Sequence, residues 1–248
     1  MSTPRTETGP DHTEVLAATD NVDRRSRSSA RRPFTPGEVA FLIAVPLLWA
    51  ILLLFHPGGE PDRMYDAVRN DVTPWLVVHL GTMLFIPLLA AAVYVLLRDV
   101  EGTAARVSRI ALAPFALFYT IWEALQGIAT GILVYNVNQL PAAERATGSD
   151  LVQDFGMNIL ARDLGILGSL GSVSFLVAMI AGAIAVRRHT DAPLAVPVLL
   201  GIAGFLITAH PPPFGPTGLA LFVVAAILFV RSQAAPRMAA PAVQPGVA

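Results

Sequence analysis

Glu123 stands inside a continuous apolar stretch, Ile110–Tyr135, 13 residues past its start and 12 short of its end. A charged side chain at mid-bilayer depth costs on the order of 2.5–3.5 kcal/mol by insertion scales, so it must face protein or water. Such a residue is a functional candidate. Tyr119, Gln126 and Thr130 lie at −4, +3 and +7 from it. Those offsets place a phenol, a carboxyl, an amide and a hydroxyl on one helical face. The stripe suits a polar cavity and proton-linked transport. It equally suits a protonated acid hydrogen-bonded to a neighbouring helix, and with no arginine inside any stretch as partner, a neutral carboxyl at pH 7 is the expectation.

Histidines form a second constellation. His56 ends the first apolar stretch, His79 lies five residues into the second, and His210 ends the fifth. Three neutral imidazoles could hold Zn²⁺ or Cu, or two could be axial ligands to haem. No His-x-x-x-His or His-Glu-x-x-His spacing accompanies them. An interfacial histidine also needs no ligand, its body sitting in apolar surroundings and its tip in water. No cofactor is therefore the first expectation, with zinc, copper or haem the alternative. His79 is placed about 7 Å below the outer boundary, and some 8 Å of helix axis then keeps Glu123 from joining the histidines directly.

The elements that carry these residues read as transmembrane helices. The 248-residue chain is 54% apolar and 14% charged, with a mean hydropathy of +0.59. Soluble domains are about 25% charged. Six apolar stretches run Val39–Phe55, Trp75–Leu97, Ile110–Tyr135, Leu164–Val186, Leu194–Ala209 and Gly218–Val230. Crossing about 30 Å of hydrocarbon takes roughly 20 helical residues. The second, third and fourth stretches suffice, and the first does once Pro36–Glu38 are included. The fifth and sixth are short, and a kink at Pro197 is expected in the fifth. The third, at roughly 39 Å, must tilt or protrude. The fold class is thus all-α: a polytopic bundle of six transmembrane helices over 38–231, between disordered tails at 1–37 and 232–248.

All 17 basic residues are arginine. With the N-terminus inside, the inner segments hold 13 of them and the outer segments hold Arg63, Arg69, Arg145 and Arg162. The positive-inside rule gives both termini a cytoplasmic location. Abundant Ala, Gly, Pro and Arg suggest a high-GC bacterial genome, hence the plasma membrane. In the outer segments, Met64/Val68/Val72 and Leu151/Val152/Phe155/Ile159 recur at helical spacing, so short amphipathic helices are expected there.

Small residues mark close packing: Gly127 and Gly131 on the third helix, Gly168 and Ser172 on the fourth. They serve contacts within the bundle or across a homo-oligomer interface. A net charge of −1 with no basic face argues against nucleic acid as a partner; the bilayer is the evident one. Zero cysteine excludes disulfide scaffolds and thiol catalysis. No phosphate-binding loop, Gly-x-Ser-x-Gly elbow or metalloprotease motif is present.

The segments Phe55-His56-Pro57, Trp75 to Gly81 and Trp122 to Gly127 resemble uncharacterised multipass membrane proteins of high-GC bacteria. The resemblance implies a membrane bundle and brings no activity with it. The reading favoured by sequence is a non-catalytic structural or regulatory membrane protein. A proton-linked small-molecule carrier using Glu123, and a metal- or haem-dependent enzyme using the histidines, are the alternatives.

Overall fold

A computed structural model describes residues 32–58, 63–162 and 165–234. The helices begin where local chemistry allows. Thr35 caps α1 (Pro36–Leu53) in a reciprocal box: Glu38 N–H donates to Thr35 Oγ1 at 3.3 Å, and Thr35 N–H donates to Glu38 Oε2 at 2.8 Å. Pro36 occupies the first helical position, where its missing N–H costs nothing. Helix α1 therefore starts inside the expected tail of 1–37. Residues 1–31 and 235–248 of the two expected tails lie outside the described residues.

Seven helical segments follow α1 among the described residues, in this order. Helix α2 (Met64–Val68) precedes α3 (Val72–Leu96). Helix α4 (Thr103–Trp122) runs through a π-helical turn, Glu123–Ala129, into α5 (Thr130–Asn138). Next come α6 (Arg145–Gly156), α7 (Ile166–His189), α8 (Ala195–Ile207) and α9 (Phe214–Ala234). No strand occurs among the described residues. Helix α9 continues through Ser232, Gln233 and Ala234, so the C-terminal tail begins later than residue 232; none of these residues breaks a helix.

Among the described residues, five segments are long and apolar enough to cross a membrane: α1, α3, the composite α4–α5 of 36 residues, α7 and α9. The fifth apolar stretch forms only the 13-residue α8, roughly 20 Å long. Pro197 gives it no cause to kink. The proline is the third residue of α8, within the first turn, where no helical hydrogen bond is lost.

The long segments close into a ring. Helix α1 packs on α3, α3 on α4, α4 on α7, α7 on α8, α8 on α9, and α9 back on α1. Trp49, Phe115, Phe175, Phe222 and Phe229 fill its interior. Large apolar residues such as Leu48, Leu84, Ile110 and Leu117 also point outward. With both faces apolar, polarity cannot choose the buried side, and shape does. One close seam is α4 on α7, where a Cβ on Gly171 would lie 2.9 Å from the Tyr119 backbone nitrogen. Gly168 is buried and Ser172 half-buried on the same helix, on which Gly171 also makes a close contact.

One end of the ring is held by polar side chains. Arg98, beyond α3, pairs with Glu38 and lies 4.7 Å from the Phe34 ring centroid. Arg109 donates to the carbonyls of Leu97 and Val100 at 2.8 and 3.1 Å. The other end is capped by the two expected surface helices. Met64, Val68, Val137 and Val152 from α2, α5 and α6 form a small second core that includes Trp75. Tyr65 Oη donates to Asn138 Oδ1 at 2.8 Å, and Met64 N–H to Gln153 Oε1 at 3.0 Å.

Candidate metal centre

The capped end holds the histidines, each delivered by a different part of the ring. His56 follows α1, where the Pro57 that comes next prevents continuation. His79 projects from the second turn of α3. His210 stands in the turn between α8 and α9, ahead of Pro211, Pro212 and Pro213. Gly215 allows that turn to be tight: a methyl group there would run into the His210 backbone carbonyl.

The three side chains converge. One ligating nitrogen from each lies within 4.8 Å of the others. Ring centroids are 4.9 Å apart for His56–His79, 5.3 Å for His56–His210 and 6.2 Å for His79–His210. His79 and His210 are buried and His56 is half-buried.

Hydrogen bonds decide which nitrogen faces inward. His56 Nδ1 sits 2.7 Å from the Pro57 carbonyl and His79 Nδ1 sits 2.8 Å from the Trp75 carbonyl. A carbonyl only accepts, so each Nδ1 carries the proton and each Nε2 keeps its lone pair. His210 Nδ1 lies 3.3 Å from Tyr119 Oη, which is also 3.3 Å from the Thr208 carbonyl. A consistent chain runs from His210 N–H to the phenol oxygen and from the phenol hydroxyl to Thr208. Nε2 of His56 and of His210 is buried with no hydrogen-bond partner. Burial pushes the His56 imidazole below its ordinary range, against the opposing pull of the Pro57 carbonyl. Burial pushes His210 well below that range, aided by the two neighbouring histidines. Both are therefore neutral at pH 7 and able to ligate.

Glu123 joins this group directly, contrary to the depth expected from sequence. Its Oε2 lies 4.0 Å from His79 Nε2 and its Oε1 lies 3.8 Å from His210 Nε2. The helix ends do not share one level. The composite α4–α5 spans 36 residues, about 54 Å, and overruns any bilayer. Distances counted from its ends and from those of α3 are therefore not on a common scale. The π-helical turn also begins at Glu123; such turns occur at functional sites more often than chance.

Of the expected polar stripe, all four members are buried. Tyr119 and Glu123 take part in the cluster. Gln126 and Thr130 follow along the helix; the Thr130 hydroxyl donates to the Leu125 carbonyl at 3.4 Å, and Gln126 Oε1 has no hydrogen-bond partner.

Two tryptophans that carried no role in the sequence reading complete the site. Trp75 stacks on His79 with centroids 4.2 Å apart and meets His56 edge-on at 5.4 Å. Its Nε1–H donates to the Gly127 carbonyl in the π-helical turn at 2.7 Å. Trp122 packs edge-on to His210 at 5.4 Å, and its Nε1–H donates to the Ala161 carbonyl at 2.8 Å. The four-residue step from Trp75 to His79 was the available signal, since it puts both on one helix face. Gly127 and Gly131, expected as packing residues, face His79 and the Trp75–Leu76 pair.

Trp75→Phe keeps the ring contacts and removes one hydrogen bond. We expect a stability loss of about 0.5–1.5 kcal/mol, read by thermal unfolding in detergent. An unchanged midpoint would mean that the Trp75–Gly127 bond does not hold the turn.

Comparison with family models, with characterised proteins and with solved structures finds no match for the chain. The fold and site therefore define it by themselves: the described residues are helical without strands, include five helices fit to cross a membrane, and enclose three histidines and a glutamate.

Proposed function

We propose that this is a membrane metalloprotein that binds one Zn²⁺ ion through Nε2 of His56, His79 and His210. The observation that carries the reading is the uniform use of Nδ1. Three imidazoles on three separate segments each commit Nδ1 to a carbonyl or a phenol, which leaves Nε2 as the free lone pair, and one ring nitrogen from each lies within 4.8 Å of the others. Metal-bound histidines are held in this manner, with the second nitrogen fixed by a carbonyl or another polar group. Nitrogen ligands at about 2.0–2.1 Å in a tetrahedral shell stand about 3.3 Å apart, so a spread within 4.8 Å needs only a small contraction around an ion.

The ligand types favour zinc. Imidazole suits Zn²⁺, and the chain has no cysteine thiolate to select Cu(I). Haem fits poorly. A macrocycle between two of these histidines needs a wide slot, yet their rings lie against one another and against Trp75 and Trp122. The geometry also favours metal binding over a purely structural bundle or a carrier built on Glu123 alone. Either of those leaves buried imidazole nitrogens unsatisfied, at a cost of about 1–3 kcal/mol each.

Metal analysis of the purified full chain in detergent tests the reading. One zinc per chain is expected, and Co²⁺ in its place should give a visible four-coordinate spectrum. A chain that stays metal-free after incubation with either ion and gel filtration would overturn it.

We further propose six crossings of a bacterial plasma membrane with both termini cytoplasmic, α8 being the short fifth. The arginine bias supports this orientation, and it sets the metal centre toward the outer face. Single cysteines placed in this cysteine-free chain should react with an impermeant maleimide at Asp66 and Ala146, and not at Gly102 or Thr190. Labelling of Gly102 in intact cells would reverse the topology.

A further inference from the structure

Resting on the zinc reading, we infer that the centre is a hydrolase site for ester or amide bonds of acyl compounds dissolved in the membrane, with Glu123 as the proton carrier. Three protein ligands leave a fourth position, which is the arrangement of catalytic rather than structural zinc. Glu123 is the side chain that faces it. Its two oxygens stand 3.8 and 4.0 Å from two of the ligating nitrogens. That range lets it hydrogen-bond a water in the fourth position.

The substrate class follows from where the centre lies. Each segment that supplies a group presents large apolar side chains to the outside beside it. Phe55 precedes His56 and is 69% exposed; Leu80 follows His79 and is 64% exposed; Ile121 and Phe205 are exposed near Glu123 and His210. The lining within is aromatic, from Trp75, Tyr119 and Trp122. A carbonyl carried on a long apolar chain matches this surrounding; a bulky water-soluble substrate does not.

The chemistry balances with water alone. Glu123 takes a proton from the water, and the hydroxide adds to the carbonyl carbon. The bond from that carbon to the leaving oxygen or nitrogen then breaks, and Glu123 returns the proton to the leaving atom. The products are a carboxylic acid and an alcohol or amine, and no electrons are exchanged.

The test uses the zinc-loaded full chain in detergent micelles with a panel of long-chain acyl esters and N-acyl amides, beside their acetyl counterparts. Zinc-dependent release of fatty acid is expected, at least tenfold faster for long chains than for acetyl. Glu123→Gln should keep one zinc per chain and lose at least 100-fold in rate. A zinc-loaded wild-type chain inert to the whole panel would overturn the hydrolase inference while leaving the metal site intact. Loss of zinc in Glu123→Gln would make the carboxylate a ligand and overturn its role as proton carrier. A wild-type chain that takes up no zinc would instead sink the metal reading beneath.

Discussion

Replacing His210 with alanine is expected to abolish stoichiometric zinc binding, and His56→Ala and His79→Ala are expected to do the same. Each removes one of three convergent nitrogens, whereas loss of a supporting group around a metal already costs 10–100-fold in affinity. A ligand loss should exceed about 100-fold. His189→Ala is the control, since that residue closes α7 and stands against Gly102, far along the chain from the cluster. The decisive readout is linkage rather than stability alone. Zinc at 100 times its dissociation constant stabilises a folded chain by about 2.7 kcal/mol. Wild type and His189→Ala should show that rise in unfolding midpoint, and the three ligand variants should not. If the cluster were merely a polar patch, each alanine would remove a costly buried group and zinc would shift no midpoint. A zinc-induced rise of equal size in His210→Ala would contradict the assignment.

The helices were legible because their apolar runs are continuous, and a run of that length has few other uses. Two short helices were expected from three-to-four spacing at Met64/Val68/Val72 and at Leu151/Val152/Phe155/Ile159; α2 and α6 form there, but Val72 opens α3, Ile159 lies past the end of α6, and Leu151 is exposed. The candidate site was legible only as parts. His56, His79 and His210 could be placed at one end by counting along helices, but their convergence depends on how the ring closes, which no local pattern encodes. Glu123 was misplaced because depth was measured from the ends of its own helix. That measure fails when one helix overruns the bilayer and a π-helical turn interrupts its rise. The tautomers were out of reach altogether. They are set by the backbone carbonyls of Pro57 and Trp75 and by Tyr119, whose positions follow from the fold and not from residue type. Gly171 was not singled out beside Gly168 and Ser172 because in a helix apolar on all sides small residues recur on several faces. Which face meets α4 is decided by packing.

Gly127→Ala should damage both fold and site through a single methyl group. A Cβ at this position would lie 2.5 Å from His79 Cγ, inside van der Waals contact, and would overlap Cδ2 of the same ring. Neither partner has room to yield. The His79 ring is stacked on Trp75 and held through Nδ1 by the Trp75 carbonyl, while the Gly127 carbonyl is bonded to the Trp75 indole. Retreat of the turn breaks one hydrogen bond, and rotation of the ring breaks the other. Overpacking of this kind costs about 1–3 kcal/mol. Because the displaced group is a ligand, zinc affinity should fall at least tenfold as well. Gly201→Ala gives the contrast. It also lies inside a helix, α8, but a Cβ there meets nothing within 4 Å. That substitution should be neutral or stabilising by up to about 1 kcal/mol, from the lower backbone freedom of alanine in the unfolded chain. Thermal unfolding with and without zinc separates the two variants. A Gly127→Ala chain as stable as Gly201→Ala, with wild-type zinc affinity, would mean that His79 does not pack against this turn and that the site is assembled in some other way.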